Sequence, residues 1–170
     1  TKIGECLHFD YLYIGDSGET KYILVMKEDI TGFVMLETSA VANATHAAES
    51  NQRWCTTLGV PSVLVSDTAS HFKNQLLRKL ADGLGVNPQF SVANSPWTNG
   101  TVESMMKEVQ RILKALLVEY RCAINEWEKN LPMVQWALNS SHRQRLGCSP
   151  YKGFFGREPT SMLAYLLRDH

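Results

Sequence analysis

The 170-residue chain has no apolar run long enough to cross a bilayer as a helix. Its first residues, TKIGECLHFD, lack the basic-then-apolar pattern of a secretory leader. No membrane partner is expected. Net charge is also missing: 17 Lys and Arg balance 17 Asp and Glu. That removes the strongly basic profile of a dedicated nucleic-acid-binding module. Cysteines number four (Cys6, Cys55, Cys122, Cys148) and lie far apart. There is no C-x-x-C and no histidine at zinc-ligand spacing, so reduced, mostly buried thiols are expected and no zinc module. Repeats and low-complexity segments are absent. A starting Met is missing, and the end at 166–170 carries no capping signal. The chain is therefore expected to be a piece of a longer protein, with residues 1–170 forming one domain.

Apolar residues make up 44% of the chain, enough for a sizeable core. The N-terminal third reads as strands. Residues 6–14 are aromatic and apolar, and 15–18 (GDSG) form a turn. Residues 21–27 (KYILVMK) are apolar on both faces, as in a central strand. Thr31-Gly32 turns the chain and 33–36 return, completing an antiparallel meander. Residues 42–58 are alanine-rich and predict a helix stopped by Gly59 and Pro61. Residues 60–66 are short and apolar, which predicts a strand covered on both sides. Phe72, Leu76, Leu77, Leu80, Ala81 and Leu84 have helical spacing ahead of Gly85. Residues 89–93 give a fifth strand. Residues 94–100 carry turn signals, Ser95-Pro96 and Asn99-Gly100. A helix follows with Thr101 as N-cap, Glu103 in its first turn, and an apolar stripe from Val102 to Tyr120. Residues 125–142 predict another helix, with Pro132 tolerable only near its start or at a kink. A Gly/Pro-rich stretch, 147–159, closes the domain. Trp54, Trp127 and Trp136 are expected in the core. This order predicts an α/β fold, a five-stranded mixed sheet with helices on both faces.

Three carboxylates stand out. Asp10 lies mid-strand, where an acid among apolar residues needs a partner or a metal. Asp67 follows the apolar run 60–65. Glu103 opens a helix whose leading loop can fold back over the sheet. Converging acids repel unless cations fill the site, and oxygen ligands suit Mg²⁺ or Mn²⁺. Two such ions serve phosphodiester displacement. The gap of 35 residues between Asp67 and Glu103 is weak evidence, because acids at 17 of 170 positions yield about one such pair by chance.

The words around these acids are more specific. LHFDYLYI, GVPSVLVSDTASHFKN, SPWTNGTVES and HRQRLGCSPYKGFFGREP resemble four segments of the catalytic core of retroviral and gypsy-like retrotransposon integrases. The resemblance covers roughly residues 5–160. Ser95 and Trp97 depart from the family's usual His and Gln around the proline. The resemblance implies a ribonuclease H-like fold and a catalytic, metal-binding triad of Asp10, Asp67 and Glu103 with two Mg²⁺ or Mn²⁺ ions. It implies a polynucleotidyl transferase acting on element ends and target DNA, a homo-oligomer, and action in the host-cell nucleus. It also assigns DNA contact to Lys107 and to the loop holding Asn99 and Gly100, with Gln110, Arg111 and Lys114 continuing the polar face.

Other readings stay open. Lys107 can be an i,i+4 ion-pair partner of Glu103 instead. Asn99 and Gly100 can be simple turn formers. Trp97 can stack on a base or anchor the core. The tract 129–157 holds five basic residues (Lys129, Arg143, Arg145, Lys152, Arg157) and no acid, so it could meet phosphates or be a solvated surface. Rival functions are a ribonuclease with a fourth acid at Glu49, and a decayed or captured core that only binds DNA or partners.

Overall fold

The structure is a computed structural model that describes residues 2–15, 19–66, 70–84, 91–93, 99–121, 123 and 126–160. Ten elements follow in chain order: β1 (Cys6–Tyr13), β2 (Tyr22–Glu28), β3 (Val34–Ser39), α1 (Ala44–Leu58), β4 (Val63–Val65), α2 (Ser70–Leu84), β5 (Ser91–Ala93), α3 (Asn99–Glu119), α4 (Trp127–Ser140) and α5 (Pro150–Phe155). The sheet runs in the order β3-β2-β1-β4-β5. The pairs β1–β2 and β2–β3 are antiparallel, and β1–β4 and β4–β5 are parallel. The sheet is therefore mixed, with β1 between its two halves. No helix among the described residues is long and apolar enough to cross a membrane.

Strand alternation sorts the apolar residues onto two faces. Leu7, Phe9, Leu24, Met26 and Leu64 meet α1 and α2 through Ala47, Trp54, Leu76 and Leu80. Leu12, Ile23, Val25, Val34 and Leu36 meet α3 and α4 through Met105, Val109, Trp127 and Val134. Both cores come from the same strands, so a one-residue slip in register would exchange every inward side chain.

Several boundaries differ from the pattern-based expectation. α1 starts at Ala44, because Asn43 caps it by accepting from His46 N at 2.9 Å. β4 is shorter than 60–66, since Ser62 N and Val63 N both donate to Glu5 O before the ladder begins. β3 extends to Ser39, held by β2. α3 begins at Asn99 rather than after Thr101, so Glu103 lies beyond the first turn. Tyr120 lies past the helix end and is exposed, outside the apolar stripe. The closing Gly/Pro-rich stretch contains α5. Ser149 caps that helix, Pro150 opens it, and Gly156 leaves it in the left-handed region at φ 74°. Trp54 and Trp127 are buried as expected, whereas Trp136 is half-buried. The expected turn 15–18 and the 89–93 strand lie partly outside the described residues.

β3 is an edge strand, and α4 closes its open side. Asn139 Oδ1 accepts from Val34 N, and Asn139 Nδ2 donates to Val34 O, both at 2.8 Å. Four residues earlier, Gln135 Oε1 accepts from Leu36 N at 2.7 Å. Two amide side chains on one helical face thus stand in for a missing neighbour strand and protect the edge. Asn139→Ala should cost about 2–4 kcal/mol in urea unfolding, because Val34, fully buried, loses partners for both its N–H and its C=O. A loss within measurement error would mean that the edge rehydrates.

Candidate active site

Asp10 sits in the middle of β1 opposite Val25. Cross-strand partners share a face, and Val25 belongs to the core covered by α3 and α4. Asp10 is half-buried there, and its Oδ1 accepts from Tyr11 N at 2.7 Å. Next to it runs β4, whose last residue, Val65, pairs with His8. Ser66 beyond it is buried. Asp67 lies outside the described residues, as does Trp97.

Glu103 is on α3 and exposed. Met105, Val109 and Leu113 anchor that helix in the same core that holds Val25. The structure thus brings the element carrying Glu103 onto the Asp10 side of the sheet. Lys107, Arg111 and Lys114 are exposed on α3 and Gln110 is half-buried. Asn99 and Gly100 form the first two positions of the helix, so neither belongs to a free turn. No ion pair joins Lys107 to Glu103 among the described residues, which leaves the ammonium available. Glu49 is exposed on α1, the helix packed against the opposite face of the sheet from Asp10.

The basic tract is less basic in three dimensions. Arg143 Nη1 donates to both oxygens of Glu108 at 2.8 and 2.9 Å. Lys129 pairs with Glu126 at 3.0 Å and Lys152 with Glu158 at 3.1 Å. Arg157 lies 5.7 Å from the Tyr151 ring centre. Acids just outside the window, or on α3, neutralise most of it. A linear window cannot see them.

Beside the start of α3 is an open cleft of about 610 Å³, lined among others by Lys27, Asp29, Ser104, Glu108, Arg143 and Arg145. Burial pulls the Lys27 ammonium below its ordinary range, Asp29 opposes that, and Arg143 adds to it. On the far side of the sheet Glu37 takes hydrogen bonds from Arg53 and Ser50. Burial opposes its ionisation, yet these donors outweigh it and hold the carboxyl below its usual range.

Comparison with known proteins bears on the family and the fold. No protein-family model matches the chain. By sequence it is 30% identical over 143 residues to the Pro-Pol polyprotein of simian foamy virus type 3 (strain LK3), covering 84% of this chain and 12% of the polyprotein. It is also 26% identical over 141 residues to KRAB-A domain-containing protein 2 of Homo sapiens, covering 82% of this chain and 28% of that protein. By structure it matches the HTLV-2 integrase catalytic core domain in complex with magnesium (trimeric form). That match has a TM-score of 0.71 at 13% identity, over 89% of this chain and 96% of that one. The fold is that of retroviral integrase catalytic cores. Retroviral Pol polyproteins are among its relatives by sequence, and the chain belongs with their integrase core domains. It spans only about an eighth of the polyprotein's length.

The Arg143–Glu108 fork ties α3 to the segment after α4, with the side chains 30% and 25% exposed. A double-mutant cycle with Arg143→Ala and Glu108→Ala should give a stabilising coupling of about 1 kcal/mol by chemical denaturation. A coupling of zero would mean that solvent screens the fork fully.

Proposed function

We propose that this domain is a metal-dependent polynucleotidyl transferase of the integrase type, with a ribonuclease H-like fold, that processes element DNA ends and joins them to target DNA. The observation that carries this reading is the placement of Asp10. It lies on the α3-covered face of β1, beside the strand that leads into Asp67 and under the helix that carries Glu103. In β1, Asp10 stands two residues beyond His8; in the chain, Asp67 stands two beyond Val65, the partner of His8.

The donor set fits hard divalent cations, since all three groups offer oxygen and none offers sulfur. Asp10, Asp67 and Glu103 would hold two Mg²⁺ or Mn²⁺ ions. Such ions polarise the phosphodiester and activate the attacking water or hydroxyl. The chain's own part is positioning. The β1 ladder fixes Asp10, and the buried stripe of α3 fixes the helix bearing Glu103. Lys107, Arg111 and Lys114, with Gln110, would follow the phosphate backbone, and Asn99 and Gly100 would approach it at the helix start. The magnesium-bound core among the structural neighbours supports this reading. We further read residues 1–170 as one core domain of a longer polyprotein that works as a homo-oligomer on DNA in the host-cell nucleus.

The second reading is a captured core that binds without cutting. The similarity to a human protein whose name is not that of a viral polyprotein favours keeping it. A labelled DNA end and an RNA–DNA hybrid, each incubated with Mn²⁺, separate the alternatives. Strand transfer supports the integrase, hybrid cleavage the ribonuclease, and binding alone the captured core.

Asp10→Asn, Asp67→Asn and Glu103→Gln should each abolish strand transfer, a loss of several kcal/mol in transition-state stabilisation, with unchanged circular dichroism. Near-normal turnover by Glu103→Gln would reduce the 35-residue spacing to chance. Lys107→Ala should weaken DNA binding for every sequence and lower the salt slope by about one unit. Unaltered affinity and slope would move the DNA path away from α3.

A further inference from the structure

We propose a second metal site, built by Cys6, His8 and Asp29, that takes a borderline-soft divalent cation of the zinc class and is chemically distinct from the oxygen-only triad. His8 Nε2 lies 3.0 Å from Asp29 Oδ1 and 3.6 Å from Cys6 Sγ, and the three donor atoms lie within 4.8 Å of one another. With Zn–N near 2.0–2.1 Å and Zn–S near 2.3 Å, a tetrahedral N···S edge is about 3.6 Å and an N···O edge about 3.3 Å. The observed sulfur–nitrogen separation already matches. The nitrogen–oxygen one needs to open by a few tenths of an ångström, as it would when a cation replaces a hydrogen bond.

Strand register preorganises the three donors. Leu7 pairs with Glu28 in the β1–β2 ladder, and Asp29 N donates to Cys6 O at 3.1 Å. Cys6 and Asp29 are thereby neighbours across the end of the ladder, and His8 follows Cys6 on the same face of β1. The turn carrying Asp29 is itself pinned. Glu28, fully buried, accepts from Thr31 N and Thr31 Oγ1, each at 2.6 Å, and from Gly4 N at 3.1 Å. Two negative donors and a neutral imidazole suit a doubly charged ion, leaving one position for water as in an open zinc site.

His8 is 1% exposed, and its Nδ1 is buried without a hydrogen-bond partner. The Nε2 edge therefore carries all of this ring's polar interactions, and they all point into the cluster. Cys6 is half-buried, and its thiol is pushed up to about 11 by burial and by the charges of Asp29 and Glu28. Acid groups that disfavour a bare thiolate favour a cation beside it, and binding releases the thiol proton to solvent. Asp29 side-chain exposure is 36%, and the residue lines the open cleft beside α3, which provides an entry path. Lys27, opposite His8 in the ladder, and Arg143 and Arg145 are the opposing charges that line that cleft.

The test uses the chain cleared of metal with chelator and then titrated with Co²⁺. The expected result is a thiolate-to-cobalt charge-transfer band that Zn²⁺ quenches and Mg²⁺ does not. Cys6→Ser and Asp29→Asn should each remove the band or weaken Co²⁺ affinity by more than about tenfold, and Cys148→Ser should keep it. Should Cys6→Ser fold poorly, a wild-type measurement decides instead: Zn²⁺ should protect Cys6 from alkylation, read by peptide mass spectrometry. No band, a band that survives Cys6→Ser in a folded protein, or unprotected Cys6 at saturating Zn²⁺ would overturn the proposal. None of these readouts depends on strand transfer, so failure here leaves the polynucleotidyl transferase reading untouched, and the reverse.

Discussion

β1 is the constraint on which the rest depends. Among the described strands it alone pairs antiparallel on one side and parallel on the other. Its alternate residues feed two separate cores, Leu7 and Phe9 against α1 and α2, Leu12 against α3 and α4. Because both faces are filled, its register cannot drift without exposing one core and burying charge in the other. That rigidity places Asp10, and with it the elements bearing the other acids. A carboxylate in a fully packed strand is held by the cores on either side of it, so its position does not depend on loop order.

The same register brings Cys6 against Asp29 and leaves His8 between them. On the proposed assignments, oxygen ligands around Asp10 and a mixed sulfur–nitrogen–oxygen set around His8 would favour different ions.

α3 and α4 serve the opposite need. They close the second core, and their polar faces do different work. α4 turns Gln135 and Asn139 to the backbone of β3 and completes the sheet at its edge. α3 leaves Lys107, Arg111 and Lys114 outward. Arg143 joins the two through Glu108. Charge in this region is used first to hold elements together.

Strand-and-helix order, the apolar stripe of α3 and the mid-strand oddity of Asp10 were legible in the sequence, because each depends on periodicity within a few residues. The four family-like segments were legible for the same reason. Boundaries were not, since Asn43, Ser149 and Glu5 end or start elements through hydrogen bonds that periodicity does not register. The basic tract 129–157 read as unopposed charge only because its acids, Glu108, Glu126 and Glu158, lie outside it. Spacing rules for zinc passed over Cys6 and His8 because their third partner arrives from the end of the next strand, 21 residues after His8. Sequence by itself determined which side chains share a face, since that follows from a period of two or of 3.6. Only tertiary structure decided which faces meet, because ladder register and helix docking set distances between residues that local periodicity leaves independent.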